Sequence, residues 1–351
     1  MTVGTSAIAA QPAAPSRLIA GSAGFNWAFI VLATWPVSGA YLDSWAHRHV
    51  PSLETFFTPW HAVLYSGVAA CLLFLGTVLL WNQAHGASWQ RALPAGYGLS
   101  LIGLVLFGIG GVLDLGWHTL FGIERNVSAL LSPTHLVLMA SMALIVTGPL
   151  RAVGLTSAVR ATWPAVVSAT LLLSGFTFFT QFNNPLINQW ATNPRAFSEQ
   201  EGVAGVIIYA GLMSAVVLLL VHRFLLPLGA ITLMFTLNAL FVTGLVGFDR
   251  IIVLCALNGL VADLALVLLR TALPPARAFR IFAAFVPGFF FLTYFLALNL
   301  VDVVWWPIHV WTGCIVIAGI VGWLLSLAMV PPASLRLVNG DVLWHGDPRL
   351  R

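Results

Sequence analysis

The chain of 351 residues contains no lysine; all fifteen of its basic residues are arginine. Such a set reflects a GC-rich genome and is given no functional weight. Charge of either sign is scarce. Only 7% of residues are charged, against about 25% in a soluble domain, which excludes an ordinary soluble protein. The net charge of +4 is better explained by membrane topology than by an acidic partner, and nucleic acid is not expected as one. Cysteine is equally sparse. Cys71, Cys255 and Cys314 sit in separate apolar runs without CxxC spacing. They read as buried free thiols and report no redox compartment. Residues 1–23 carry Arg17 as their one charge and hold no continuous apolar core. The segment 1–24 therefore reads as a cytoplasmic tail rather than a cleaved signal peptide.

What is present is apolar. Hydrophobic residues make up 60% of the chain, and the mean hydropathy is +0.95. Apolar runs of about 20 residues recur, where a barrel would alternate over about ten. The fold class expected is an all-α integral membrane protein. About ten transmembrane helices fall near 25–46, 56–81, 96–120, 132–153, 163–182, 203–225, 228–247, 250–271, 279–304 and 308–330. They pair into five outward-pointing hairpins, and residues 25–330 form one polytopic domain followed by a cytoplasmic tail, 331–351. With the N-terminus inside, eleven arginines fall on inner segments and four (Arg48, Arg125, Arg195, Arg250) on outer ones. That bias obeys the positive-inside rule. It predicts that both termini are cytoplasmic; the membrane expected is a bacterial inner (plasma) membrane.

The few ionisable residues are not scattered. Asp43, His47, Glu54 and His61 form one unit, closing on Thr58-Pro59-Trp60-His61. Asp114, His118, Glu124 and His135 form a second, closing on Ser132-Pro133-Thr134-His135. The hairpins at 25–81 and 96–153 thus read as a parallel repeat, offset by about 71 residues at the Asp and His positions. In a helix, residues i and i+4 share a face, so each Asp stands beside a His at a helix end. Thr58 and Ser132 suit the N-cap, with Pro59 and Pro133 at the first helical position. That places His61 and His135 in the first turn of the returning helix, level with the Asp. Two histidines and one carboxylate per hairpin make a three-donor metal site with open positions. Glu54 and Glu124 are the candidate catalytic bases, acceptors for the imidazole N–H groups, or further ligands.

Other residues admit blander readings. His49 in the loop, and Asp302 with His309 in the last hairpin, are weaker ligand candidates. Asp263 is either a structural hydrogen-bonding group or a proton relay. Met139 and Met142 share a helix face with His135 and read mainly as core. Trp45, Trp60, Trp117, Trp305, Trp306 and Trp311 read as an interfacial belt. Gly108, Gly110 and Gly111 permit close helix approach. The amides Gln181, Asn183, Asn184, Asn188 and Gln189 line either the same cavity or a polar outer loop.

The run Asp-x-x-x-His…Glu…Pro-x-His resembles the intramembrane copper motif in the C subunit of the copper membrane monooxygenases, which oxidise methane and ammonia. The resemblance covers about 20 residues, twice. The motif is duplicated here, its His-to-His gaps are fourteen and seventeen, and the span count is larger. It implies that Asp43, His47, His61, Asp114, His118 and His135 bind copper or iron, zinc being a third choice. The function expected is a metal-dependent membrane oxidoreductase acting on a small apolar or lipid-phase substrate. The expected partners are the lipid bilayer, that substrate or a metal ion, and additional subunits or an electron donor. The alternatives are a metal-ion transporter or delivery protein, a zinc-dependent intramembrane hydrolase, and a b-type cytochrome using His61 and His135.

Overall fold

The computed structural model describes residues 18–50, 56–122, 127–156, 159–193, 197–247, 250–331, 335–338 and 341–344. Among them the helices are α1 (Ala23–His49), α2 (Pro59–Ala84), α3 (Gly98–Phe121), α4 (Ser128–Leu131), α5 (Pro133–Val146), α6 (Gly148–Gly154), α7 (Trp163–Phe179), α8 (Pro185–Asn188), α9 (Ser198–Arg223), α10 (Ala230–Val246), α11 (Arg250–Ala272), α12 (Pro275–Val301) and α13 (Ile308–Met329). Two short strands, β1 (Leu335–Val338) and β2 (Asp341–Trp344), pair antiparallel in what the sequence suggested was only a tail.

Six helices, α2, α3, α9, α11, α12 and α13, are long and apolar enough to cross a membrane, and α5 with α6 makes a seventh if that bent pair is one span. This is a helical membrane protein by composition and length. The ten spans anticipated from the sequence exceed that set: α7 and α10, with 17 residues each, fall short, and α1 is not among those that qualify. Large apolar side chains such as Leu73, Val112 and Val316 stand outward, each more than 60% exposed. Such a surface suits lipid.

Glycine sets the tightest helix contacts. A Cβ at Gly39 of α1 would meet the Leu64 Cα of α2 at 2.6 Å, and one at Gly67 would meet the Pro36 nitrogen at 2.7 Å. The backbones of α1 and α2 can therefore touch, and this brings their site residues together. On α3, Gly110 presses on Leu138 of α5 and Gly111 on Tyr65 of α2, whereas Gly108 has nothing within 4 Å. Two of the three glycines expected to permit close approach do so.

The third pair departs from a row of simple hairpins. α7 is the centre of the bundle and packs on α1, α5, α6, α9 and α10. Small residues let it sit there: Ala165, Ser168, Ala169 and Ser174 are completely buried. One span is also broken. Pro149 has no N–H to give Ile145, four residues earlier, and α5 and α6 meet at 48°. Neighbouring side chains satisfy the freed carbonyls. Ser100 Oγ donates to Leu144 O (3.1 Å) and Ile145 O (3.0 Å), Ser168 Oγ to Val146 O (2.6 Å), and Arg151 Nη2 to Leu144 O (2.9 Å).

Asp263 has a structural role. From α11 its carboxylate accepts from the backbone of Ile231 (3.2 Å) and Thr232 (2.9 Å) and from Thr232 Oγ1 (2.7 Å). It caps the first turn of α10, whose own N-cap is Gly229 and supplies no side chain. Gly259, one turn earlier, opens the approach, since a Cβ there would lie 2.5 Å from the Thr232 Cα.

Candidate metal centre

The local structure of each unit follows from its sequence. Thr58 and Ser132 are the N-caps of α2 and α5, accepting from the backbone N–H of His61 (3.1 Å) and His135 (3.4 Å). Such a cap is worth about 1 kcal/mol, and proline follows it at the first helical position in both. The cap holds each histidine in the first turn, against the end of the preceding long helix.

Two triads result. His61 Nε2 lies 3.3 Å and His47 Nε2 3.7 Å from Asp43 Oδ2. His118 Nε2 lies 3.4 Å from Asp114 Oδ2, and His135 Nδ1 lies 3.7 Å from Asp114 Oδ1. Within each triad one donor atom per residue lies within 4.8 Å of the others, a spacing that one metal ion can bridge. The triads are near copies. The imidazoles of His47 and His61 are 5.9 Å apart at 63°, and those of His118 and His135 are 5.7 Å apart at 61°. They differ in exposure: the Asp43 side chain is 15% exposed, the Asp114 side chain 2%.

Backbone carbonyls set the imidazole tautomers. His61 Nδ1 contacts Phe56 O at 2.7 Å, and His118 Nδ1 contacts Gly122 O at 3.2 Å. A carbonyl oxygen only accepts, so Nδ1 carries the proton in both rings. A neutral His61 then turns the Nε2 lone pair toward a carboxylate oxygen at 3.3 Å. Two acceptors that close repel unless a proton or a metal ion lies between them. The same outer-sphere contact, imidazole N–H to backbone carbonyl, recurs around metal-bound histidines.

Both triads face one cavity of about 780 Å³. The Phe56 ring stacks on His61 (5.1 Å, 20°) and lies 6.3 Å from the His118 ring, so one phenyl group separates an imidazole of each triad. Asp43 and Asp114 are close enough to act on each other electrostatically, and His47 feels His61, His118 and His135. The six side chains are one electrostatic cluster.

The sequence missed several residues of this cavity. Tyr65 lies one turn below His61, and its ring centroid is 6.4 Å from that of His61. A Cβ at Gly111 would fall 2.8 Å from its hydroxyl. The i+4 spacing from His61 was the available signal. Arg48 and Gln181 also line the cavity. Gln181 Oε1 accepts from Ser44 Oγ (3.0 Å) and Arg48 Nη2 (2.7 Å), tying the turn after α7 to α1. Asn188 joins Gln181 in the wall, whereas Asn183, Asn184 and Gln189 do not. Met142 is in the wall too, and Met139 is not.

The weaker candidates sit apart. His49 stacks on Trp45 at the cavity rim, with Nδ1 2.9 Å from Trp45 O. Asp302 and His309 are exposed and outside the cavity, and Asp302 Oδ1 accepts from the Val303 backbone (2.8 Å). None of the three belongs to a metal-sized group among the described residues. Glu54 and Glu124 lie outside the described residues. Cys71, Cys255 and Cys314 are free and buried. Comparison with protein-family models, with curated proteins and with solved structures found no match.

Proposed function

We propose that this is a membrane-embedded metalloprotein that holds one transition-metal ion in each triad and uses the pair in redox chemistry on a lipid-phase substrate. The observation that carries the reading is that each triad sets one carboxylate and two imidazole donor atoms within 4.8 Å of one another. Two imidazoles and one carboxylate with open positions are the donor set of non-haem iron sites, and imidazole also suits copper and zinc. Copper or iron is preferred here, in keeping with the motif resemblance. Glu54 and Glu124, which fall between the ligand residues in the sequence, are proposed to handle protons.

The reading has all ten long helical segments crossing the bilayer, as five outward-pointing hairpins. The triads then lie at the extracytoplasmic face and both termini are cytoplasmic. The arginine bias, eleven against four, supports that orientation. The cavity is also lined by Val37, Leu64, Phe107 and Leu138. This apolar part of the lining favours chemistry in place over ion transport. X-ray absorption on protein loaded separately with copper, iron and zinc tests the site. The expected first shell holds nitrogen and oxygen, with imidazole scattering; a sulfur shell, or no retained metal, would overturn the reading.

A further inference from the structure

The cavity is chemically two-ended. It is lined by the six triad residues and Arg48 and, further along the ligand helices, by Val37, Leu64, Phe107, Leu138 and Met142, with Tyr65 between. These apolar residues lie three to seven positions from the nearest triad residue on their own helices. At 1.5 Å per residue, this apolar part of the lining extends up to about 10 Å from the triads.

Arg48 is the unexplained charge. Its described hydrogen bond goes from Nη2 to Gln181 Oε1 at 2.7 Å. That oxygen is neutral and also takes the Ser44 hydroxyl. Gln181 is buried and so holds the guanidinium in place without cancelling its charge. Among the described residues the ion pairs all join histidine to aspartate, and none involves Arg48. Arg48 is exposed at the mouth of the cavity, where its charge is free to meet an anion. The planar guanidinium fits the paired oxygens of a carboxylate or phosphate.

We infer that the cavity binds an anionic amphiphile, with its head group on Arg48 beside the triads and its alkyl chain on the apolar part of the lining. The inference rests on the metal reading. Two divalent ions outweigh the charges of Asp43 and Asp114 and leave the cavity positive beside the triads, and Arg48 adds to that. Empty triads would present two carboxylates and repel an anion.

The test is a binding titration of purified, metal-loaded full-length protein in a neutral detergent, by calorimetry, with octanoate, octyl phosphate, octanol and acetate. Octanoate or octyl phosphate is expected to bind at least tenfold more tightly than octanol or acetate. Arg48→Gln should abolish that preference while leaving metal content and octanol binding unchanged; Arg48→Lys should keep part of it. Unchanged metal content also shows that the variant has folded. If the metals are retained but octanoate binds Arg48→Gln as it binds wild type, or octanol binds as tightly as octanoate, the inference fails alone. If wild-type protein retains no metal, the metal reading fails and takes this inference with it.

Discussion

Thr134 donates its hydroxyl to Asp114 Oδ1 at 2.7 Å, from the first turn of α5 to the last turns of α3. The first triad has no such partner, because Trp60 precedes His61 where Thr134 precedes His135. Asp43 Oδ1 is instead buried without a hydrogen bond among the described residues. The two sites are near copies in geometry and unequal in support. Outer-sphere partners of this kind are worth about 10–100-fold in metal affinity. Thr134→Val should weaken metal binding at one of the two sites by about that factor and leave the other unchanged. Chelator competition resolves the two affinities, and equal weakening of both would contradict the asymmetry.

Packing at Gly39 controls the first site from a distance. A methyl group there has no room, since the Leu64 Cα would stand 2.6 Å away. Overpacking of this kind costs about 1–3 kcal/mol, and it would drive α1 from α2, hence Asp43 from His61. Gly39→Ala should lower both thermal stability and metal affinity at one site. Gly108→Ala is the control. It has open space and should be neutral or stabilising by up to about 1 kcal/mol.

Asp263 separates structure from chemistry. Removing a buried acceptor from the Ile231 and Thr232 donors costs about 1–3 kcal/mol. Asp263→Ala should lower the melting temperature in detergent without changing metal content. Loss of metal with unchanged stability would point to a relay role instead.

The broken span makes a parallel case. Ser100→Ala withdraws the hydroxyl that serves Leu144 O and Ile145 O. Arg151 still reaches Leu144 O, so Ile145 O bears most of the loss. A destabilisation of about 1–3 kcal/mol is expected, read from thermal unfolding, again with metal retained.

The parts of this molecule set by short-range chemistry were legible in the sequence. The Thr58-Pro59 and Ser132-Pro133 helix starts and the Asp-x-x-x-His helix ends follow from local rules, and both triads assemble from them. The parts set by contacts between distant segments were not. Nothing local to Arg48 announces Gln181, 133 positions away. Nothing in the run 132–153 except Thr147-Gly148-Pro149 marks the break between α5 and α6, and the sequence pattern alone reads as one span. Asp263 was ambiguous for the same reason: its partners are on α10 and become visible only once Gly259 has brought that helix close.

Metal content is the most direct measurement of the central claim. Purified wild-type protein, Asp43→Ala/His47→Ala, Asp114→Ala/His118→Ala and the variant combining all four substitutions are loaded with one metal, desalted and measured by elemental analysis. With one ion per triad, wild type should retain two ions per chain, each double variant one, and the combined variant none. Wild-type protein that retains no metal, or double variants that retain as much as wild type, would contradict the account.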